Sequence, residues 1–391
     1  MRQLRWYGCL DGSGIEHADG LNEDADVRLL LFSDLHLDTQ FAWVRPESAR
    51  RRRHALRDVL LAILDLAERE HVDAVMCGGD LYEHDRFTPD TAQFLRSAFE
   101  RLHPTPVLVA PGNHDWFSES SLYRRVSWSP NVRVFTEDRL RPYELTDGFT
   151  IWGGAHLAPA NTDNFLQGFH VDRAGVNVAL FHGSERMWFL EQGEGKVPHA
   201  AFDAVDIERS GLHHALLGHF HMPKEAELFT YPGNPDPLTF GEAGQRGTVL
   251  VEIDSDGRLI RTTHEVAKSQ VHDISFDVTG CTSEQDVRDS LAERLRGLTG
   301  SVRVTLSGEL GPDPSLNVGD LPSVAPHLDG VLVRVADIHV AYDFAQIEQE
   351  ATVRGEFVRS VRGAHLDPDQ ERRILVTGLR ALEGRSDLEV D

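Results

Sequence analysis

The sequence predicts a layered α/β fold with mixed β-sheets, a smaller α+β unit behind it and a charged helical end. Three observations predict it. Through about residue 268, short β-branched or Leu-rich runs alternate with amphipathic helical stretches and then follow one another directly, the pattern of strands and helices in layers. Five of those runs end in Asp, Asn or His. After about residue 268 the composition shifts, and a strand–helix–strand pattern leads into a charged, helix-favouring tail.

VRLLLFS (27–33) reads as a buried strand. Leu56, Val59, Leu60, Ile63 and Ala67 recur at helical spacing, so roughly 47–70 is a helix with one apolar face. VDAVMCGG (72–79) is a second strand. Thr88-Pro89-Asp90 starts a helix with an N-cap hydroxyl and a first-turn proline, and Leu95, Ala98, Phe99 and Leu102 form its apolar face. PVLVA (106–110), FTIWGGA (149–155), VNVALFH (176–182) and HALLGH (214–219) follow as strands. ELFTYPG (227–233) and GTVLVEID (247–254) read as a hairpin-rich close. VHDISFDVTG (271–280), a helix near 283–297, SVRVTLSGEL (301–310) and GVLVRVAD (330–337) make the small α+β unit, and 343 to about 384 the helical tail.

At 391 residues the chain has room for two domains. Residues 1–26 lack the apolar core of a secretion signal and read as a polar, mobile extension. No run approaches the ~18 apolar residues of a membrane span. Cys9, Cys77 and Cys281 are too far apart for a disulfide framework or a thiolate zinc site, so a cytoplasmic setting is expected. The net charge of −24 argues against broad nonspecific affinity for nucleic acid. It leaves room for a nucleic-acid enzyme whose metal ions supply the local positive charge.

The strand ends carry the chemistry. In LFSDLHLD, Asp34 and His36 stand two residues apart, on one side of an extended chain. GGDLYEHD places Asp80 after two glycines, PGNHDWF gives Asn113, His114 and Asp115, FHGSE gives His182, and LLGHFHMPK gives His219 and His221. His182 alone reads as a core histidine, and GD or GNHD alone as turn chemistry. Ligands of open α/β sheets gather at the carboxyl ends of strands, so the joint order brings Asp, His, Asp, Asn and three more His to one edge. Imidazoles mixed with carboxylate and amide oxygens suit a pair of divalent transition metals, with a carboxylate as the natural bridge.

These motifs in this order resemble the calcineurin-like metallophosphoesterase superfamily. The resemblance implies a sandwich of two mixed β-sheets flanked by helices. It implies one metal held by Asp34, His36, Asp80 and His221, a second by Asp80, Asn113, His182 and His219, and Asp80 as the bridge. His114 matches the catalytic histidine that protonates the leaving oxygen, with Asp115 orienting it.

Within the superfamily, YPGNPDPLTFGE (231–242) looks like the YPGSP…FGE segment of SbcD-type DNA repair nucleases, and GDLYEHD and the C-terminal helices resemble the YhaO-like branch. This implies a nuclease domain over 27–268, a capping domain over 269–340 and a C-terminal helical segment over 341–391. It also implies a manganese-dependent DNA exonuclease, an SbcC-type coiled-coil ATPase partner and pairing as a homodimer. The alternative is hydrolysis of small phosphoesters. Three residues after Asp80, where related nucleases carry Asp or His, this chain has Glu83, and His84 is the candidate substitute. Trp116 and Phe117 read as core packing, with base stacking the alternative. Arg50 to Arg53 read as a solvated helix face, with a DNA-backbone contact the alternative.

Overall fold

The computed structural model describes residues 27–191, 197–311 and 316–384; the N-terminal extension, 1–26, and the end of the tail lie outside the described residues. The first layer runs through β1 (Val27–Phe32), α1 (Pro46–Arg69), β2 (Ala74–Cys77), α2 (Pro89–Glu100), β3 (Val107–Val109), α3 (Leu122–Arg125) and β4 (Val132–Val134). The four strands are parallel neighbours in chain order. The second layer follows: β5 (Arg141–Thr146), β6 (Phe149–Gly153), β7 (Val176–His182), α4 (Arg186–Glu191), α5 (Ala204–Arg209), β8 (His214–Gly218), β9 (Lys224–Glu225) and β10 (Phe229–Tyr231). Here β6, β7, β8 and β10 are parallel, with β5 and β9 antiparallel at the edges. β11 (Gly247–Ile253) then returns to the first sheet, antiparallel to β1, and β12 (Leu259–Glu265) completes it.

Two six-stranded mixed sheets therefore stack face to face. Alternation along β1 shows why its sequence is apolar apart from Arg28, which pairs with Glu70 and Glu252. Leu29 and Leu31 enter the core between the sheets with Met76, Leu108, Val178 and Leu216. Leu30 and Phe32 turn the other way, under Leu56, Leu60 and Ile63 of α1 and Leu95 and Phe99 of α2. A strand covered on both faces carries no polar stripe.

The expected hairpin-rich close is corrected in part. GTVLVEID does not pair with ELFTYPG. It crosses to β1, where Val249, Val251 and Ile253 fill the core between the sheets. The strands β4, β5 and β12 go unread in the sequence because they are short or half-exposed and carry no apolar run.

Past the sandwich, β13 (Val271–Asp277), α6 (Glu284–Leu295), β14 (Ser301–Leu310) and β15 (Gly330–Val340) form a parallel three-stranded sheet, with Val287, Leu291 and Leu295 of α6 packed on Val302, Val304 and Leu306. This unit is tied to the sandwich near the strand ends. Asp236 accepts the backbone N–H groups of Lys268 and Ser269 at 2.7 and 2.8 Å, and Arg51 pairs with Asp329 at 2.9 Å. The helices α7 (Phe344–Glu348), α8 (Val353–Arg362) and α9 (Pro368–Leu382) close on their own apolar cluster of Ile347, Val358, Val361, Leu375 and Leu379.

Candidate active site

The carboxyl ends of β1, β2, β3, β7 and β8 meet where the two sheets come into backbone contact. A Cβ on Gly218 would lie 2.2 Å from the Gly78 carbonyl oxygen, so the glycines of GGD and LLGH are required by the approach of β2 to β8. Gly112 in GNHD answers a second close approach: a Cβ there would stand 2.3 Å from Oδ1 of Asp80.

Local backbone then aims the side chains. Asp34, His36 and Asp80 adopt left-handed φ values of 54°, 49° and 52°, and His219 one of 114°. Such residues cost about 1–3 kcal/mol each and persist only where surroundings hold them. Here the loop after β1 lies along the loop after β2. Asp34 N–H donates to the Gly79 carbonyl and His36 N–H to the Asp80 carbonyl, both at 2.9 Å, and Leu37 N–H to the Leu81 carbonyl at 3.0 Å.

Seven predicted ligands come together. Asp34, Asp80 and His182 present ligand atoms within 4.8 Å of one another, and so do Asp34, His36 and His221. Asp80 Oδ2 lies 3.3 Å from His182 Nε2 and 3.7 Å from His36 Nε2, and Asn113 Oδ1 lies 3.1 Å from His182 Nε2. The His219 ring centroid is 5.1 Å from that of His182.

Three of the four imidazoles have Nδ1 engaged from outside: His36 by Glu83 at 2.8 Å, His221 by Glu242 at 2.7 Å and His182 by the Gly78 carbonyl at 2.9 Å. An outer acceptor on Nδ1–H leaves Nε2 as the free ligand nitrogen, the arrangement of metal-bound histidines. The buried Nε2 of His36 has no hydrogen-bond partner. An orphaned buried nitrogen facing a buried carboxylate is costly, and a cation between them removes the cost. The residues fit divalent metal.

Glu242 explains the FGE segment. Besides His221, its carboxylate accepts from Asn234 Nδ2 and the Leu238 backbone N–H, both at 2.6 Å. Arg246 braces the same turn, donating to the His221 carbonyl and, at 2.6 Å, to Asn234 Oδ1.

His114 stands at the rim, half-exposed, its backbone N–H on Asp80 Oδ1 at 2.8 Å. The expectation that Asp115 orients it is corrected. The Asp115 carboxylate is buried and fully used: it accepts the backbone N–H groups of Gly112 at 2.6 Å, Leu81 at 2.7 Å and Asp80 at 3.1 Å, and the Tyr123 hydroxyl at 2.5 Å. It shapes the loop. Glu83 holds the ring instead, with Oε2 3.2 Å from His114 Nδ1 while Oε1 serves His36. The hydrogen bond to Glu83 raises the His114 imidazolium to about 9. Burial opposes ionisation of Glu83, but the bonds from His114 and His36 hold it down at about 2. Burial and neighbouring Asp80 push Asp115 up to about 6.

His84 does not take the place offered to it. Its ring stacks on Trp116 at 3.9 Å and its Nε2 meets Ser120 Oγ at 3.1 Å, in a separate groove. Phe117 packs at the edge of the helix-side core, as expected, whereas Trp116 stacks on His84. The arginine run is not a uniform solvated face. Arg52 is buried, its guanidinium 4.7 Å from the Phe41 ring centroid and donating to the Pro237 carbonyl.

Over the cluster opens a cavity of about 450 Å³, lined by Asp80, Asn113, His114, His219, His221 and His199 among others. His199 went unnoticed in the sequence because it stands alone in a loop. Its ring lies 5.3 Å from that of His219, and its buried Nδ1 has no partner.

A two-layer sandwich with histidines and carboxylates converging at its strand ends is the architecture of a metal-dependent phosphoesterase. Residues 27–223 match the family model of the calcineurin-like phosphoesterases, and the chain belongs to that family. It is 28% identical over 306 residues to the uncharacterised metallophosphoesterase YhaO of Bacillus subtilis, covering 72% of each chain. It is 26% identical over 296 residues to the DNA double-strand break repair protein Mre11 of Methanopyrus kandleri, covering 67% of this chain and 62% of that one. The protein of the same name from Saccharolobus solfataricus is 20% identical over 261 residues, covering 62% of this chain and 65% of its own. Among the described residues no helix is long and apolar enough to cross a membrane.

Proposed function

We propose that this metallophosphoesterase is a manganese-dependent DNA exonuclease of the SbcD/YhaO kind. The observation that carries the reading is the convergence of Asp34, His36, Asp80, Asn113, His182, His219 and His221 beside a His114 held through Nδ1 by Glu83. Its support for DNA comes from the likeness to the DNA double-strand break repair protein Mre11 of Methanopyrus kandleri, which covers 67% of this chain and 62% of that one. In this reading Asp34, His36, Asp80 and His221 hold one divalent ion. Asp80, Asn113, His182 and His219 hold the other, and Asp80 is shared.

Bound ions supply positive charge for a phosphodiester's oxygens and lower the pKa of water. The chain supplies the rest. His114, protonated at neutral pH through Glu83, donates its proton to the sugar oxygen as that oxygen departs, a contribution of about 10²–10⁴-fold in rate. Asp115 keeps the loop in the shape that places His114. The unit over 269–340 caps the substrate side, and the helices over 341–391 are the docking segment for an SbcC-type ATPase, in the cytoplasm and as a homodimer. The net charge of −24 favours a second reading, small phosphoesters.

End-labelled duplex and single-stranded DNA, incubated with manganese and with wild type or His114→Ala, separates them. Stepwise loss of nucleotides by wild type alone supports the exonuclease. Turnover of bis-p-nitrophenyl phosphate with intact DNA, in the presence of the co-expressed ATPase, supports the second reading.

A further inference from the structure

We infer that residues 234–242 link the α+β unit of β13–β15 to the metal position at His221, with Arg303 of β14 as a positioning residue for that position. The link rests on the proposed reading of His221 as a metal ligand. It deepens that reading by placing one control of the ligand outside the sandwich.

The inner end of the link is one carboxylate. Glu242 is buried, with one oxygen on His221 Nδ1 at 2.7 Å. Its other oxygen accepts from Asn234 Nδ2 and the Leu238 N–H, both at 2.6 Å, and from the Thr239 N–H at 3.3 Å. Asn234 Nδ2 also reaches the Asp236 carbonyl at 2.9 Å. Each donor to that second oxygen lies in 234–239, so the carboxylate goes where this turn goes. An outer partner on Nδ1 sets the ring orientation and basicity of a ligand histidine. A displaced turn therefore moves the His221 ring.

The outer end is held by the α+β unit. Asp236, also buried, accepts the Lys268 and Ser269 N–H groups at 2.7 and 2.8 Å, just before the chain enters β13. Phe240, two residues before Glu242, is buried, its ring centroid 4.3 Å from that of Trp43 and 5.5 Å from the Arg303 guanidinium. That distance is within cation–π reach, so Phe240 touches both the sandwich and the unit. Asp273 of β13 fixes the guanidinium, accepting from its Nε at 2.9 Å.

The His182 side is tied differently. Its Nδ1 rests on the Gly78 carbonyl, inside the sandwich. The seating of the unit should therefore govern one metal position and spare the other. Such coupling is reciprocal: an ion at His221 steadies the unit as much as the seated unit steadies the ion.

The test titrates manganese into the full chain and reads the free ion by electron paramagnetic resonance, for wild type, Arg303→Ala, Arg303→Lys and His221→Ala. Arg303→Ala is expected to weaken one of two binding events by about fivefold or more, the same event that His221→Ala removes, and to spare the other. Arg303→Lys, which keeps a cation beside Phe240, should restore part of the loss. Hydrogen exchange reads the reverse direction and needs no variant: manganese should slow exchange in peptides of β13 and β14 in the wild type. Glu242→Ala should abolish that slowing. Unchanged manganese binding in Arg303→Ala, equal weakening of both events, or wild-type exchange in β13 and β14 that manganese does not alter overturns the link. Loss of one event in His221→Ala beside an unchanged Arg303→Ala overturns the link alone. Two events left intact by His221→Ala overturn the ligand assignment on which the link rests.

Discussion

The first sheet delivers Asp34, His36 and Asp80 through left-handed turns just past β1 and β2, whereas the second presents His182 as the last residue of β7 with no strained turn. The difference follows from what each side must do. Two loops of the first sheet lie along each other and exchange backbone hydrogen bonds, so their side chains are fixed as a pair. His182 needs only the Gly78 carbonyl behind it. The side of the first sheet carries Asp80, the carboxylate proposed to be shared, and borders His114, the proposed proton donor; the side of the second supplies imidazoles, His182 on a relaxed strand end and His219 on a left-handed φ of 114°.

The largest break in this comparison is Asp80→Ala. Asp80 stands between His36 and His182, so its loss should empty both proposed positions and take hydrolysis to background. His182→Ala should cost one ion. Metal analysis after dialysis reads both, and two ions retained by Asp80→Ala would refute the sharing.

Glu83 and Glu242 sharpen the contrast. Each holds a histidine Nδ1, but Glu83 also holds His114. Losing such an outer partner costs about 10–100-fold in metal affinity or activity. Glu242→Gln should therefore recover kcat at saturating manganese. Glu83→Gln should stay low in kcat at any manganese concentration. Identical behaviour of the two variants would remove the second role of Glu83.

A smaller effect is expected at the seam between the sheets. Gly218→Ala puts a methyl against the Gly78 carbonyl and should cost about 1–3 kcal/mol of stability, read from urea midpoints.

The smallest lies far from the cluster. His214 is buried in β8, its Nδ1–H donating to the Glu227 carbonyl at 3.2 Å and its Nε2 accepting from Thr230 Oγ1 at 2.9 Å. Burial, with Arg261 nearby, lowers its pKa to about 3. A histidine depressed on folding stabilises above its unfolded value of ~6.5 and loses that contribution as pH falls toward the folded value. From pH 7 to 5 the expected loss is about 2 kcal/mol, at ~1.4 kcal/mol per pH unit below ~6.5. His214→Gln should lack this component of acid sensitivity, as denaturant titrations at both pH values would show.

What was legible in the sequence is what is local. Asp34 and His36, or His219 and His221, sit on one strand end, and alternation of apolar runs with helical spacing gives the layers. Contacts made by folding back were not legible. Glu242 reaches His221 from 21 residues away, β11 pairs with β1 across most of the domain, and Arg52 is buried under an aromatic pair. Asp115 misled because sequence adjacency to His114 suggested contact, while its side chain turns inward to four other donors. Glu83 was visible as a departure, but its reach to two imidazoles at once depends on the left-handed turn at Asp80.

The most direct test of the central claim, that His114 is the proton donor of a metal-dependent phosphodiesterase, compares leaving groups. Wild type and His114→Gln, both loaded with manganese, hydrolyse thymidine phosphodiesters whose leaving alcohols differ in acidity. The account predicts unchanged metal content, a kcat lower by about 10²–10⁴-fold for a sugar alkoxide and a much smaller loss for p-nitrophenolate, which departs without a proton. Equal losses for both leaving groups, or full activity in the variant, would contradict it.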